Sequence, residues 1–294
     1  MSRGAPVRAP RGPQAAVALQ RMAALLYPRR CPFCGAVLGA DAAEGLVCPD
    51  CAPQAAALEH RPPRLPATEH ALEAMTGAAG AYYYAGIVRQ SILRCKEYGN
   101  PWLARELADL LAIRAFGAWA ADRPGGQPLY QAVPGFAPYD VIVPVPAGLG
   151  HTRRGFNLPG LLARRLGRIL HVPAEEKLLL PARRTKPQKT LDGPARFANQ
   201  RGAYRVAPGA ALEGKRVLLV DDILTTGATA SACALALMAG GAAGVFAVCI
   251  AADEELPAGR ADKKPGETEK TTAQNGAPNK PAQRAAEEQG RTGK

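Results

Sequence analysis

The sequence predicts an α/β protein with a largely parallel sheet flanked by helices, preceded by a small four-cysteine module and followed by a polar tail. Three observations carry this. Short apolar runs of strand character alternate with helical patterns from Ala81 to Ala251, and such alternation implies right-handed crossovers between parallel strands. Four of the seven cysteines fall in two C-x2-C pairs, Cys31 with Cys34 and Cys48 with Cys51. After Ala252 the composition changes: residues 253–294 hold eight acids, eight bases and one large apolar residue, Leu256. That is too little to offset the entropy of ordering, so a disordered tail is expected.

Taken in order, residues 1–30 form a basic segment with six arginines and no acid. From Gln14 the run AAVALQRMAALLYP reads as a short helix with Leu19, Met22 and Leu26 on one face, stopped by Pro28. This start lacks the compact apolar stretch and cleavage site of a secretory signal, which points to the cytoplasm; an Arg-rich transit peptide is the alternative. Residues 31–66 hold the cysteine module and a linker, Pro53 to Pro66, where Pro62, Pro63 and Pro66 disfavour regular pairing.

The α/β domain is expected over residues 80–252. AYYYAG from Ala81 reads as a strand, Gly86 to Tyr98 and Trp102 to Trp119 as helices, and Tyr139 to Val145 as a buried strand. Between them Asp122 to Pro138, rich in Pro and Gly, reads as a loop. A helix over Leu161 to Leu170, a strand at Lys177 to Leu180 and a basic loop from Pro181 to Pro194 follow. The last elements are a strand from Lys215 to Asp221, a helix from Ala228 to Ala239 and a strand from Val245 to Ala251. The uncharged stretch Ile223 to Ala252 exceeds the ~20 residues that span a bilayer. Threonines 225, 226 and 229, Ser231 and glycines 227, 240, 241 and 244 punctuate it, so no membrane span is expected.

Charge is unevenly placed. Lysines and arginines exceed acids by 12 over the chain (37 against 25), and His151 to Arg205 alone holds thirteen basic residues against three acidic ones. An excess of this kind suits a polyanionic partner, either a phosphorylated metabolite or a nucleic acid.

The most informative stretch is VLLVDDILTTGAT, Val217 to Thr229. Four apolar residues bring a buried strand toward its carboxyl end, where open α/β sheets bind ligands. A glycine-containing turn then enters a helix, and such a turn offers backbone N–H groups and the positive end of the helix dipole to an anion. Asp221 and Asp222 would repel that anion. They make sense holding hydroxyls, or a metal attached to them, a short distance from it, as in a sugar 5-phosphate with free 2- and 3-hydroxyls. The cysteine spacing, C-x2-C, thirteen residues, C-x2-C, suits a closed tetrahedral Zn²⁺ site at Cys31, Cys34, Cys48 and Cys51, with redox pairs as the alternative. Cys95, Cys233 and Cys249 read as small apolar residues.

The stretch Val217 to Thr229 closely resembles the signature of type I phosphoribosyltransferases, enzymes of 5-phosphoribosyl 1-pyrophosphate (PRPP) chemistry. The resemblance implies that Asp221 and Asp222 contact ribose hydroxyls and that Thr225, Thr226, Gly227, Ala228 and Thr229 cradle the 5-phosphate. Further motifs precede it: Tyr84 to Arg89 with Ile92 and Lys96, Pro144 to Pro146 with Arg153 to Asn157, and Arg184 to Gln188 with Leu191, Arg196 and Asn199. With the cysteine module, this order resembles the ComF (ComFC, GntX-like) family of competence proteins over roughly Leu19 to Ala251. Asn157-Leu158-Pro159, Cys95-Lys96-Glu97-Tyr98 and the Asp122 to Pro138 insertion depart from the family's usual pattern.

The family resemblance implies a zinc ribbon joined to a type I phosphoribosyltransferase-like domain, acting in DNA uptake through single-stranded DNA and the competence machinery. It also implies a diphosphate loop at Arg153 and Arg154, bidentate donors by chemistry, and a mobile loop with Arg183, Arg184, Lys186 and Lys189. A solvated basic face is the plainer reading of both. At least one of Tyr82, Tyr83 and Tyr84 is expected in the core, with an aromatic platform for bases as the weaker reading. Three functions stand at this point: a transferase using Mg²⁺ with PRPP, a single-stranded-DNA-binding module on the same fold, and a PRPP sensor without turnover.

Overall fold

A computed structural model describes residues 28–38, 46–65, 72–97, 100–121, 129–131, 138–148, 155–183 and 202–253. The expected helix before Pro28, the arginines 153 and 154, the basic loop beyond Arg183 with Lys186, and the tail from residue 254 lie outside the described residues.

The elements follow in chain order: α1 (Ala52–Ala57), β1 (Gly77–Tyr83), α2 (Gly86–Glu97), α3 (Leu103–Phe116), β2 (Trp119–Ala121), β3 (Leu129–Gln131), β4 (Val141–Pro144), α4 (Leu158–Leu170), β5 (Leu179–Pro181), β6 (Tyr204–Val206), β7 (Arg216–Leu224), α5 (Ala228–Ala239) and β8 (Gly244–Ala252). Four strands make one parallel sheet in the order β1-β8-β7-β4. Its central strands are buried on both faces, so they read as unbroken apolar runs rather than alternating ones. Val217, Leu218, Leu219 and Val220 are all fully buried. One face carries α2, α3, α4 and the cysteine module. The other carries α5 and the short antiparallel pair β5–β6.

Helix spacing explains both layers. In α5, Ala230, Cys233, Ala234 and Leu237 recur at the three-and-four-residue step of one helix face, and all are buried. In α2 the same step is made by Val88, Ile92 and Cys95, each fully buried. Helix α4 begins with Pro159 in its first turn, where a missing N–H costs nothing. Between α3 and α4, Arg165 donates to both carboxylate oxygens of the buried Asp109, at 2.6 and 3.1 Å.

The stretch expected to be a linker, described as far as residue 65, is a short helix followed by chain that lies along the sheet edge. Residues 52–57 are helical, and the chain then runs antiparallel along the outer edge of β1, with Glu59 opposite Tyr82 and Arg64 opposite Ala79. His60 N–H donates to Ala81 O, Gly80 N–H to Pro63 O and Leu65 N–H to Ala78 O. The prolines do not forbid this, because an edge segment needs only some of its donors. At the opposite edge, residues 173–175 exchange hydrogen bonds with Ile142 of β4. Within the expected loop 122–138, residues 129–131 pair with β2 as β3, and the remainder up to 137 lies outside the described residues. Tyr82 and Tyr83 are buried and Tyr84 half-buried, which argues against an aromatic platform there. The helices and strands expected from Gly86 onward are present, with shifted ends.

Candidate functional site

Strand β7 does not stop at Asp221. It stays paired with β8 as far as Leu224 opposite Ala252, whereas β4 accompanies it only to Pro144 opposite Val220. Val145 N–H closes that ladder on Val220 O, and Pro146 has no N–H to extend it. The two aspartates therefore stand on the step where one neighbouring strand has ended and the other continues. Asn157, just before α4, donates from Nδ2 to Val145 O at 2.9 Å and fixes the chain leaving β4.

Consecutive residues of a strand point to opposite faces, and the surroundings of the two carboxylates differ accordingly. Asp222 is 7% exposed, and its Oδ1 accepts from Lys96 Nζ on α2 at 2.8 Å. The neighbouring Asp222 charge lifts the Lys96 ammonium above its ordinary range, against burial that pulls it down. Asp221 is half-buried on the side of Tyr204 and Cys233, whose acidities its charge perturbs. Burial, and then the charge of Asp222, push the Asp221 carboxyl up to about 8, with Lys96 opposing. The pair is thus asymmetric: Asp222 is ion-paired with Lys96, while the Asp221 carboxyl beside it is held well above its ordinary range. The Asp222 N–H also donates to Asp221 Oδ1 at 2.8 Å.

Thr225, Thr226 and Gly227 make the bend into α5. Gly227 takes φ +80°, a left-handed conformation that glycine adopts without a Cβ penalty. Thr226 Oγ1 faces Ala228 N–H at 3.5 Å, and Ser231 N–H donates to Gly227 O at 2.8 Å to start the helix. Thr225, Thr226 and Thr229 are half-buried, and Gly227 and Ala228 buried. The helix N-terminus is placed directly after the acidic strand end, as an anion-and-hydroxyl site needs.

Lys96 and Tyr84 are the residues the sequence reading placed in motifs without giving them a role. Tyr84 N–H donates to Ala252 O, and burial raises its phenol, with Lys96 and Arg89 opposing and Asp222 and Asp253 adding to the rise. A basic side chain one residue past the apolar stripe of α2 was the available signal for Lys96.

The four Sγ atoms of Cys31, Cys34, Cys48 and Cys51 lie within 4.8 Å of one another. A tetrahedral site with Zn–S of about 2.3 Å places its sulfurs roughly 3.8 Å apart. Cys34 and Cys48, at 3.5 Å, are close to that already. The set fits a metal such as zinc. Each knuckle is a tight turn: Gly35 N–H donates to Cys31 O and Cys51 N–H to Cys48 O, while Ala36 N–H points to Cys34 Sγ. The module is continuous with the sheet. Phe33 packs edge-on against Tyr82 with ring centres 5.9 Å apart, and Ser91 Oγ of α2 donates to Pro32 O. Among the described residues this is the one cluster of three or more His, Cys, Asp or Glu side chains placed to share a metal ion.

Comparison with known proteins gives three results. No family model matches the chain. The DNA utilization protein YhgH of Escherichia coli K12 is 36% identical over 100 residues, 34% of this chain and 43% of YhgH. Competence protein F of Haemophilus influenzae Rd is 34% identical over 92 residues, 31% of this chain and 40% of that protein. The matched segment thus spans less than half the length of either relative. Among solved structures, a glutamine PRPP amidotransferase from B. subtilis aligns over 49% of this chain and 25% of its own, at 20% identity and a TM-score of 0.30. Among the described residues no helix is long and apolar enough to cross a membrane. The chain is a homologue of YhgH and competence protein F over that shared segment, the relationship its motifs implied.

Proposed function

We propose that the protein binds PRPP or a related ribose 5-phosphate at the carboxyl end of its parallel sheet, and that it serves DNA uptake in the cytoplasm. The observation that carries the first part is the continuity of Asp221, Asp222 and the Thr225–Gly227 bend with the start of α5. Amides and threonine hydroxyls at the bend donate to the phosphate oxygens, assisted by the dipole of a twelve-residue helix. Asp222 accepts a hydrogen bond from a ribose hydroxyl, and Asp221 contacts the neighbouring hydroxyl. Arg153, Arg154 and Lys186 would meet the diphosphate, and any Mg²⁺ would arrive on that diphosphate to neutralise it.

Zn²⁺ held by Cys31, Cys34, Cys48 and Cys51 leaves no open coordination position, so its role is to hold shape. The second part is supported by the names of the relatives, DNA utilization protein and competence protein F. The thirteen basic residues between His151 and Arg205 support it independently. Internalised single-stranded DNA is the proposed partner, with the competence machinery.

Calorimetric titration with PRPP and Mg²⁺ tests the ligand. Binding is expected for the native protein and lost in Asp221→Ala/Asp222→Ala; unchanged binding in the double variant rejects the reading. Gel shifts with single-stranded DNA should weaken steeply as salt rises and on neutralising Arg183, Arg184, Lys186 and Lys189. Pyrophosphate release with candidate bases separates a transferase from a sensor.

A further inference from the structure

We propose that Lys96 is the resident counter-charge of Asp222, standing where a divalent cation would otherwise bind this carboxylate and positioning it for a sugar hydroxyl. The inference rests on the ribose-phosphate reading and concerns the same site. Asp222 has one oxygen engaged by Lys96 Nζ at 2.8 Å, and the two side chains are only 22% and 10% exposed. Mg²⁺ demands six oxygens in near-ideal geometry and keeps several of its waters. At Asp222 an ammonium already sits on the nine-tenths-buried carboxylate, so a cation would have to displace it to reach that oxygen.

Lys96 is itself held in place. The apolar stripe Val88, Ile92 and Cys95 anchors α2 in the buried core, with each side chain fully buried, so the lysine stem extends from a fixed base one residue beyond it. An ammonium is a compact charge with three donors; one is committed to Asp222 Oδ1. The second oxygen of Asp222 keeps its acceptor capacity, and a ribose hydroxyl needs nothing more. A metal requirement, where one exists, then belongs to the ligand's diphosphate and not to this carboxylate. A ligand with the same sugar and 5-phosphate but no diphosphate should bind equally with and without Mg²⁺.

The experiment is titration calorimetry with ribose 5-phosphate on the full chain, in buffer freed of divalent cations by a resin and again with millimolar Mg²⁺. A resin is used so that the cysteine-bound metal is not stripped. The native protein is expected to bind with affinities equal within about twofold in the two buffers, and Lys96→Arg to stay within about threefold of native. Lys96→Met leaves Asp222 without its partner; it is expected to lose at least about tenfold in the metal-free buffer and to recover part of that with Mg²⁺. Native binding that needs Mg²⁺, or Lys96→Met binding like native without it, overturns the proposal while leaving the ligand reading intact. No native binding in either buffer rejects this proposal, while the ligand reading stands or falls by the PRPP titration. Should Lys96→Met fail to fold, judged by its melting curve and zinc content, the native and Lys96→Arg titrations still decide.

Discussion

The cysteine module and the acidic strand end sit on one sheet but are built in opposite ways. The module takes all four of its ligands from 21 residues of chain, Cys31 to Cys51, and its tight turns arrange them through local hydrogen bonds. The strand end is assembled from distant parts: Asp222 on β7 meets Lys96 on α2, 126 positions earlier, on a step created by the early end of β4. A local site is complete wherever its motif is intact. A composite site depends on the layers that bring its parts together, and its electrostatics follow from packing.

The strongest way to break the comparison is to damage the local site and watch the whole. Cys31, Cys48 and Cys51 share a buried cluster with Tyr82, Ile92 and Leu107, and structural metal binding is itself folding free energy. Cys48→Ser is expected to lose the metal, read by elemental analysis, and to lower the melting temperature by at least about 10 °C. A metal-free protein melting like native would mean that the module is not structural.

Next in size is the helix interface that supports the composite site. Asp109→Ala removes both carboxylate acceptors that Arg165 holds in a largely buried position, a change that costs about 3–5 kcal/mol, measurable by denaturant unfolding. Ligand affinity at temperatures where the variant stays folded should not change. Smaller in stability but large in function is Gly227→Val. A β-branched residue at φ +80° costs roughly 1–2 kcal/mol, while calorimetric binding of ribose 5-phosphate should fall at least about tenfold.

The subtlest test uses pH. The raised Asp221 carboxyl, at about 8 against 3.8 ordinarily, means that the folded chain holds a proton the unfolded chain has released. Stability contributed there is present at low pH and declines as pH climbs from about 4 to about 8. Asp221→Asn should flatten that slope in melting temperature across the window. An unaltered slope would show that Asp221 is not the group responsible.

Much of this was legible in the sequence because it is local. The cysteine spacing announced its cluster, and the one-face repeat in α5 and the run Val217 to Val220 announced a helix on a buried parallel sheet. What escaped is non-local. The prolines of residues 53–66 argued for a spacer, since nothing in that stretch says that β1 leaves an edge for it to follow. Asp221 and Asp222 read as equals until the strand was seen to continue through them and turn them to opposite faces. Lys96 stood in a motif without a role; only the fold, by bringing it to Asp222 on β7, gives it a partner.

Both margins of the sheet are covered by irregular chain, Glu59 to Leu65 outside β1 and residues 173–175 outside β4. Exposed margins invite other chains to add strands, so these two stretches act as guards against self-assembly. The first guard is tethered directly to the cysteine knuckles through α1. Its release would convert metal loss into aggregation: depleted protein should form oligomers detectable by light scattering while most of its helical signal persists.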